Sequence, residues 1–269
     1  IPPRLYAKLC GLGRLPEQDL SMEPAEKILF ETAPVKCKRE PAWGYQDLAL
    51  FIGLALTSLV CVTLVLRIAT EIFPALKPYI QLLSLPLMLV LYAVIYGILW
   101  VIISLKYDQP LWRALGWMRS TIHWWQALLA GVALSFLVAF LGAALHTPQI
   151  KSPFDRFLHA PGWILLFGLF AVVIGPVSEE IVFRGFLQPL LARDLGMIAG
   201  VLITAVCFGL LHGPEYSGSW QYVVLISLAG AFFGFVRAAG RSVIPAVIMH
   251  AGFNAVFFLS VVFAKHFSS

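Results

Sequence analysis

Charge is what this sequence has least of. Only 12% of its 269 residues are Asp, Glu, Lys or Arg, against 60% hydrophobic and a mean hydropathy of +0.86. A soluble chain of this length needs polar surface that such a composition cannot supply, so a soluble fold is excluded and a polytopic membrane protein is implied. Cysteine is scarce as well. Cys10, Cys37, Cys61 and Cys207 lack metal-type spacing and two of them fall in apolar runs, so free thiols are expected rather than a disulfide framework. There is no His-Glu-x-x-His signature, no internal repeat of useful length and no charged, apolar and cleavage-site pattern of a signal peptide. The net charge of +5 is scattered among loops instead of gathered in a stripe, which excludes nucleic acid as the expected partner.

What is present is a succession of greasy runs. After a polar, Pro-bearing arm over residues 1–45, apolar segments run about Leu48–Ile68, Tyr79–Leu105, Trp124–Leu145, Gly162–Ala192, Met197–His212, Trp220–Ala238 and Val243–Ala264. The expected fold is an all-α polytopic membrane protein, a bundle of seven transmembrane helices, or eight if Gly175-Pro176 splits the fourth, around a membrane-embedded polar cavity. Three regions follow: the arm at 1–45, three helices at 46–161 and a core at 162–264. Within the second region, Lys106 to Ser120 mixes tryptophans with basic residues and suits an interfacial helix. Trp124-Trp125 reads as an aromatic belt, and His146 to Pro161 as a polar loop. Most of the 19 Lys and Arg fall on one side of the alternation, which orients the N-terminus to the cytoplasm. Compactness suggests a bacterial plasma membrane.

Into the fourth run the chain inserts Glu179, Glu180 and Arg184. A charge at the bilayer centre costs at least about 2.5–3.5 kcal/mol on insertion scales, so three within six residues call for a role. Glu180 and Arg184 stand i and i+4 and share a helix face, which predicts an ion pair; Glu179 lies about 100° round the axis and is left over. The spare carboxylate is the candidate general base.

Two further polar sites lie in later runs. His212 closes the fifth, four residues after Phe208, and His250 and Asn254 share a face of the seventh. A hairpin turning near Asp194-Leu195 sets Glu179 about level with Leu210, one turn from His212, and allows His250 and Asn254 a similar depth. Gly209, Gly230, Gly234 and Gly252 permit close packing there, and Pro245 is placed to kink the last helix. His123, His146, His159 and His266 read as interfacial, Asp155-Arg156 as a solvated pair, and Phe232-Phe233 and Phe257-Phe258 as ordinary lipid-facing or core surface.

Glu-Glu-x-x-x-Arg, Phe-x-x-x-His and His-x-x-x-Asn, in that order, resemble the CPBP family of CAAX proteases and bacteriocin-processing enzymes, also called Abi, whose best-known branch is the type II CAAX prenyl endopeptidase. The similarity covers about Gly162 to Ala264. The resemblance implies an intramembrane endopeptidase in which Glu179 and His212 activate a water while His250 and Asn254 stabilise the oxyanion, with Glu180, Arg184 and Phe208 in support. It implies no required cofactor; the alternative is a metalloendopeptidase holding zinc or another divalent metal through Glu179, His212 and His250. The implied partners are the lipid bilayer and a peptide or membrane-protein substrate: a prenylated C-terminus, a leader peptide or a transmembrane segment. Oligomeric state is not readable. Two other classes compete, a proton-coupled transporter, opposed by the missing inverted repeats, and a non-catalytic adaptor or immunity protein.

Overall fold

The computed structural model describes residues 40–148, Ile150 and Trp163–Ser268. The expectations for Cys10, Cys37, Asp155-Arg156, His159 and most of the arm lie outside the described residues. Contacts divide the chain into Ile1–Ala42 and Trp43–Ser269, and the second unit carries everything below.

Apolar side chains on every face, rather than one stripe, make these helices lipid-soluble, and helices are what lipid demands because no water satisfies a bare backbone. Among the described residues there is no strand, and seven helices are long and apolar enough to cross a membrane. They are α1 (Tyr45–Ile72), α2 (Ile80–Trp100, continued as a π turn over Val101–Lys106), α3 (Trp124–Ala144), α4 (Ile164–Leu195), α5 (Met197–His212), α6 (Trp220–Gly240) and α7 (Ile244–Ser268). Of its most apolar stretch, α1 buries 6% inside the protein and α4 buries 44%, so α1 is an outer helix and α4 a central one. Around α4, α5 packs along α6 and α7 along α3. Gly131 of α3 lets the backbone of α7 at Met249 approach closer than any side chain would allow.

The expected break at Gly175-Pro176 does not split α4, and among the described residues there is no eighth span. Instead α4 contains two π turns, Phe170–Ile174 and Ile181–Leu187, separated by the α segment Gly175–Glu180. Each π turn ends on an i→i−5 bond, Gly175 N–H to Phe170 O and Gln188 N–H to Phe183 O, and each is followed at once by a proline, Pro176 or Pro189. A proline in an α turn clashes with the carbonyl four residues back; widening the turn relieves the clash, so the helix runs on.

Lys106 to Ser120 also departs from expectation. Only Leu111–Ala114 forms a helical turn, which Gly116 ends at φ +80. Leu115 is fully buried, while Trp112, Trp117 and Met118 of the same segment are exposed. The segment is sewn to the α6–α7 turn: Val243 N–H donates to Gly116 O, Ser242 Oγ to Met118 O, and Ser120 Oγ to Gly240 O. Ahead of α1, Trp43 is buried, stacks on Phe186 of α4 and donates Nε1–H to its carbonyl at 3.0 Å.

Candidate active site

The α segment between the two π turns presents Glu179 and Glu180 in different directions. Glu180 is wholly buried; its Oε1 accepts from Arg184 Nη1 at 2.9 Å and lies 2.9 Å from His250 Nδ1. Against a carboxylate, Nδ1 is the donor, so in the neutral imidazole Nε2 is bare. Arg184 is equally buried. Its Nη2 donates to Gly230 O at 2.7 Å, and its guanidinium lies 5.7, 4.6 and 5.4 Å from the ring centroids of Phe183, Phe208 and Phe233. Desolvated cation–π contacts of this kind are worth about 2 kcal/mol or more. Charge, hydrogen bonds and rings together make a buried arginine tolerable.

Glu179 points elsewhere, into a cavity of about 200 Å³ bounded by α2, α4, α5, α6 and α7. His212 and His250 line the same cavity. Glu179 Oε2 stands 3.9 Å from His212 Nε2 and 3.8 Å from His250 Nε2. Those separations are too long for direct hydrogen bonds and short enough for one water to touch the carboxylate and an imidazole together. His212 Nδ1 lies 2.8 Å from Phe208 O, which can only accept, so Nδ1 carries a proton and Nε2 faces the cavity as an acceptor. Asn254 lines the cavity too, its Nδ2 donating to Ala171 O at 2.8 Å. Glu215, three residues past His212, adds a further carboxylate to the wall.

Of the residues named from sequence for the site, Glu179, Phe208, His212, His250 and Asn254 line this cavity, and Glu180 and Arg184 lie directly behind it. Phe208 packs its ring against His212 with centroids 4.5 Å apart and planes tilted by 49°, while its carbonyl fixes the tautomer. Of the pair read as ordinary lipid-facing or core surface, Phe232 is 40% exposed and Phe233 belongs to the core, where it also backs the site. Phe233 is buried and stacks on His250 at 4.6 Å and 20°. The signal was in the sequence: Gly230 and Gly234 mark the close-packed face of α6, and Phe233 shares it.

Zinc would need its ligands about 3.3 Å apart, the spacing that bonds of about 2.0–2.1 Å impose in a tetrahedron. Glu179 Oε2 stands roughly half an ångström farther than that from each imidazole Nε2. Among the described residues no group of three or more His, Cys, Asp or Glu is arranged to hold a metal ion. The metalloendopeptidase alternative therefore finds no support, and no step below passes through a metal.

A membrane helix bundle that gathers a carboxylate and two imidazoles at an internal cavity has the layout of an intramembrane hydrolase. Residues 161–256, a little over a third of the chain, match the family described as Type II CAAX prenyl endopeptidase Rce1-like. The match bears out the resemblance read from the three motifs and supports an intramembrane protease of the CAAX type. No curated protein and no solved structure matches the chain.

Proposed function

We propose that the protein is a glutamate-dependent intramembrane endopeptidase. The observation that carries this reading is the placement of Glu179 Oε2 within 3.9 Å of His212 Nε2 and His250 Nε2 at one cavity, while its neighbour Glu180 is committed to Arg184. A water held among these three groups gives up a proton to the carboxylate as it attacks the peptide carbonyl, with His212 Nε2 orienting it from the second side. The developing oxyanion is met by donors. His250 qualifies in the form that carries a proton on Nε2, with its Nδ1 held on Glu180 Oε1 and the Glu179 carboxylate 3.8 Å from Nε2. Asn254 spends one amide proton on Ala171 O, which anchors the group, and brings a second to the cavity. Each such donor is typically worth about 2.7–4 kcal/mol in the transition state.

The scarcity of charge on the helices, the positive-inside bias and the family match all favour a substrate that reaches the cavity from the membrane, with the N-terminus cytoplasmic. The test compares membranes carrying wild-type protein with membranes carrying Glu179→Gln. Peptide fragments present in the first should be absent from the second, at equal protein level. An unchanged fragment pool, or a loss of ion flux in place of cleavage, overturns the reading.

A further inference from the structure

The two π turns of α4 share a defect, and the structure repairs both in the same way. In an α turn Ala171 O would accept from Gly175 N–H, but that proton goes to Phe170 O, and residue 176, next in line, is a proline without one. Thirteen residues on, the pattern recurs. Arg184 O would accept from Gln188 N–H, which goes to Phe183 O, and residue 189 is again proline. Each turn thus leaves one carbonyl, that of half-buried Ala171 or of buried Arg184, without its α-helical backbone donor. Each is met by a side chain from another helix: Asn254 Nδ2 of α7 at Ala171 O, 2.8 Å, and Arg237 Nε of α6 at Arg184 O, 3.3 Å.

We propose that Arg237 is a positioning residue for the glutamate pair: its Nε–H occupies the Arg184 carbonyl that the Pro189-terminated π turn leaves bare, and so holds the register in which α4 presents Glu179 and Glu180. The proposal rests on the hydrolytic reading above. Register matters because Arg184 Nη2 and Gln188 Nε2, four residues apart, donate to Gly230 O and Gly234 O, themselves four apart on α6. Relaxing the π turn to an α turn would rotate the helix beyond it by about 100° relative to the glutamates. Both α6 bonds would then be out of reach, and with them the arm that fixes Glu180 and, through it, His250. Arg237 closes the seam from the opposite side, its guanidinium lying over Gly116, where any Cβ would meet Nη2 at 2.7 Å. It has no part at the cavity wall, so it acts through α4 and not on substrate.

The experiment exploits an atomic coincidence. In glutamine, Nε2 is bonded to Cδ as Nε is in arginine, so Arg237→Gln keeps an N–H at that position while Arg237→Met removes it. Two readouts are taken on full-length protein in its native membranes. One is the rate at which the fragments that depend on Glu179 appear. The other is the 13C carbonyl resonance of Arg184, which is single because Arg-Gly occurs once in the chain. Arg237→Met should slow cleavage by about ten-fold or more, the rate equivalent of one bond to a buried carbonyl, and move the resonance upfield. Arg237→Gln should change neither. Adding Pro189→Ala to Arg237→Met supplies the missing N–H at residue 189 and should recover both. Methionine and glutamine variants that behave alike, or a resonance that stays put in Arg237→Met, overturn the proposal. So does a methionine variant that fails to fold and is not rescued by Pro189→Ala. If instead Glu179→Ala leaves the fragments untouched, the hydrolytic reading falls, and the resonance alone still decides what Arg237 does.

Discussion

Two neighbouring carboxylates on one helix meet opposite fates, and the difference is a matter of about 100° of helical rotation. Glu180 faces Arg184 and His250 with no exposure at all; Glu179 faces the cavity and both imidazole Nε2 atoms. Their substitutions should therefore part company. Glu179→Gln is expected to lower cleavage by about 10²–10⁴-fold, the usual contribution of a general base, while thermal unfolding of the solubilised protein stays within a degree or two of wild type. Arg184→Leu leaves the Glu180 carboxylate buried without its cation. It should cost about 3–5 kcal/mol and show first as lost folded protein in a detergent melting curve, and what folds should cleave more slowly because Glu180 no longer holds His250 in place. The i,i+4 pairing that separates these roles was legible in the sequence because it lies within one helix. The His250 tautomer was not, since Glu180 Oε1 fixes it through a contact between α4 and α7, whereas that of His212 is set within α5 by the carbonyl four residues back.

At the scale of elements, proline misleads. Gly175-Pro176 reads as a helix end, yet α4 passes through it by widening the preceding turn, and it does so again before Pro189. A sequence reading assigns a proline its local cost but cannot see that side chains of α6 and α7 will serve the carbonyls left over. The helix expected at Lys106 to Ser120 is confined to Leu111–Ala114 for a related reason: beyond it, bonds to the α6–α7 turn hold the segment. Close packing on α6 is the element most exposed to a single change. An alanine Cβ at Gly230 would stand 3.1 Å from Arg184 Nη2 and 3.2 Å from Phe208 Cδ1. Overpacking of this kind typically costs about 1–3 kcal/mol, so Gly230→Ala should lower the melting midpoint and slow cleavage together. Phe233→Leu removes a ring that stacks on His250 and covers Arg184. Beyond area burial such a contact is worth about 0.5–1.5 kcal/mol, which predicts cleavage slowed by several-fold with the protein still folded.

For the whole molecule the bilayer is the second half of the structure. α1 shows most of its side chains outward, and Cys61, midway along it, is exposed on that face. In a variant keeping only this cysteine, a lipid-soluble maleimide should label it in intact vesicles and a charged, water-soluble one should not; the reverse would take α1 out of the membrane. Cleavage should also persist in chelator and gain nothing from added zinc, because in the proposed reaction Glu179 takes the proton of the water and no step passes through a metal. Activity abolished by chelator and restored by metal would show that the site closes around an ion.

By itself the sequence determined the membrane class, the number of helices within one and the Glu180–Arg184 pair, because hydropathy and helical period act over short stretches of chain. It also named the residues that gather at the cavity, through motifs whose family resemblance the comparison bears out. Only the tertiary structure decided that His212 and His250 both reach Glu179, that Phe233 backs the site, and that α4 crosses two prolines unbroken. Those outcomes depend on contacts between helices far apart in the chain, where a rotation of one residue moves a side chain from the cavity to the lipid.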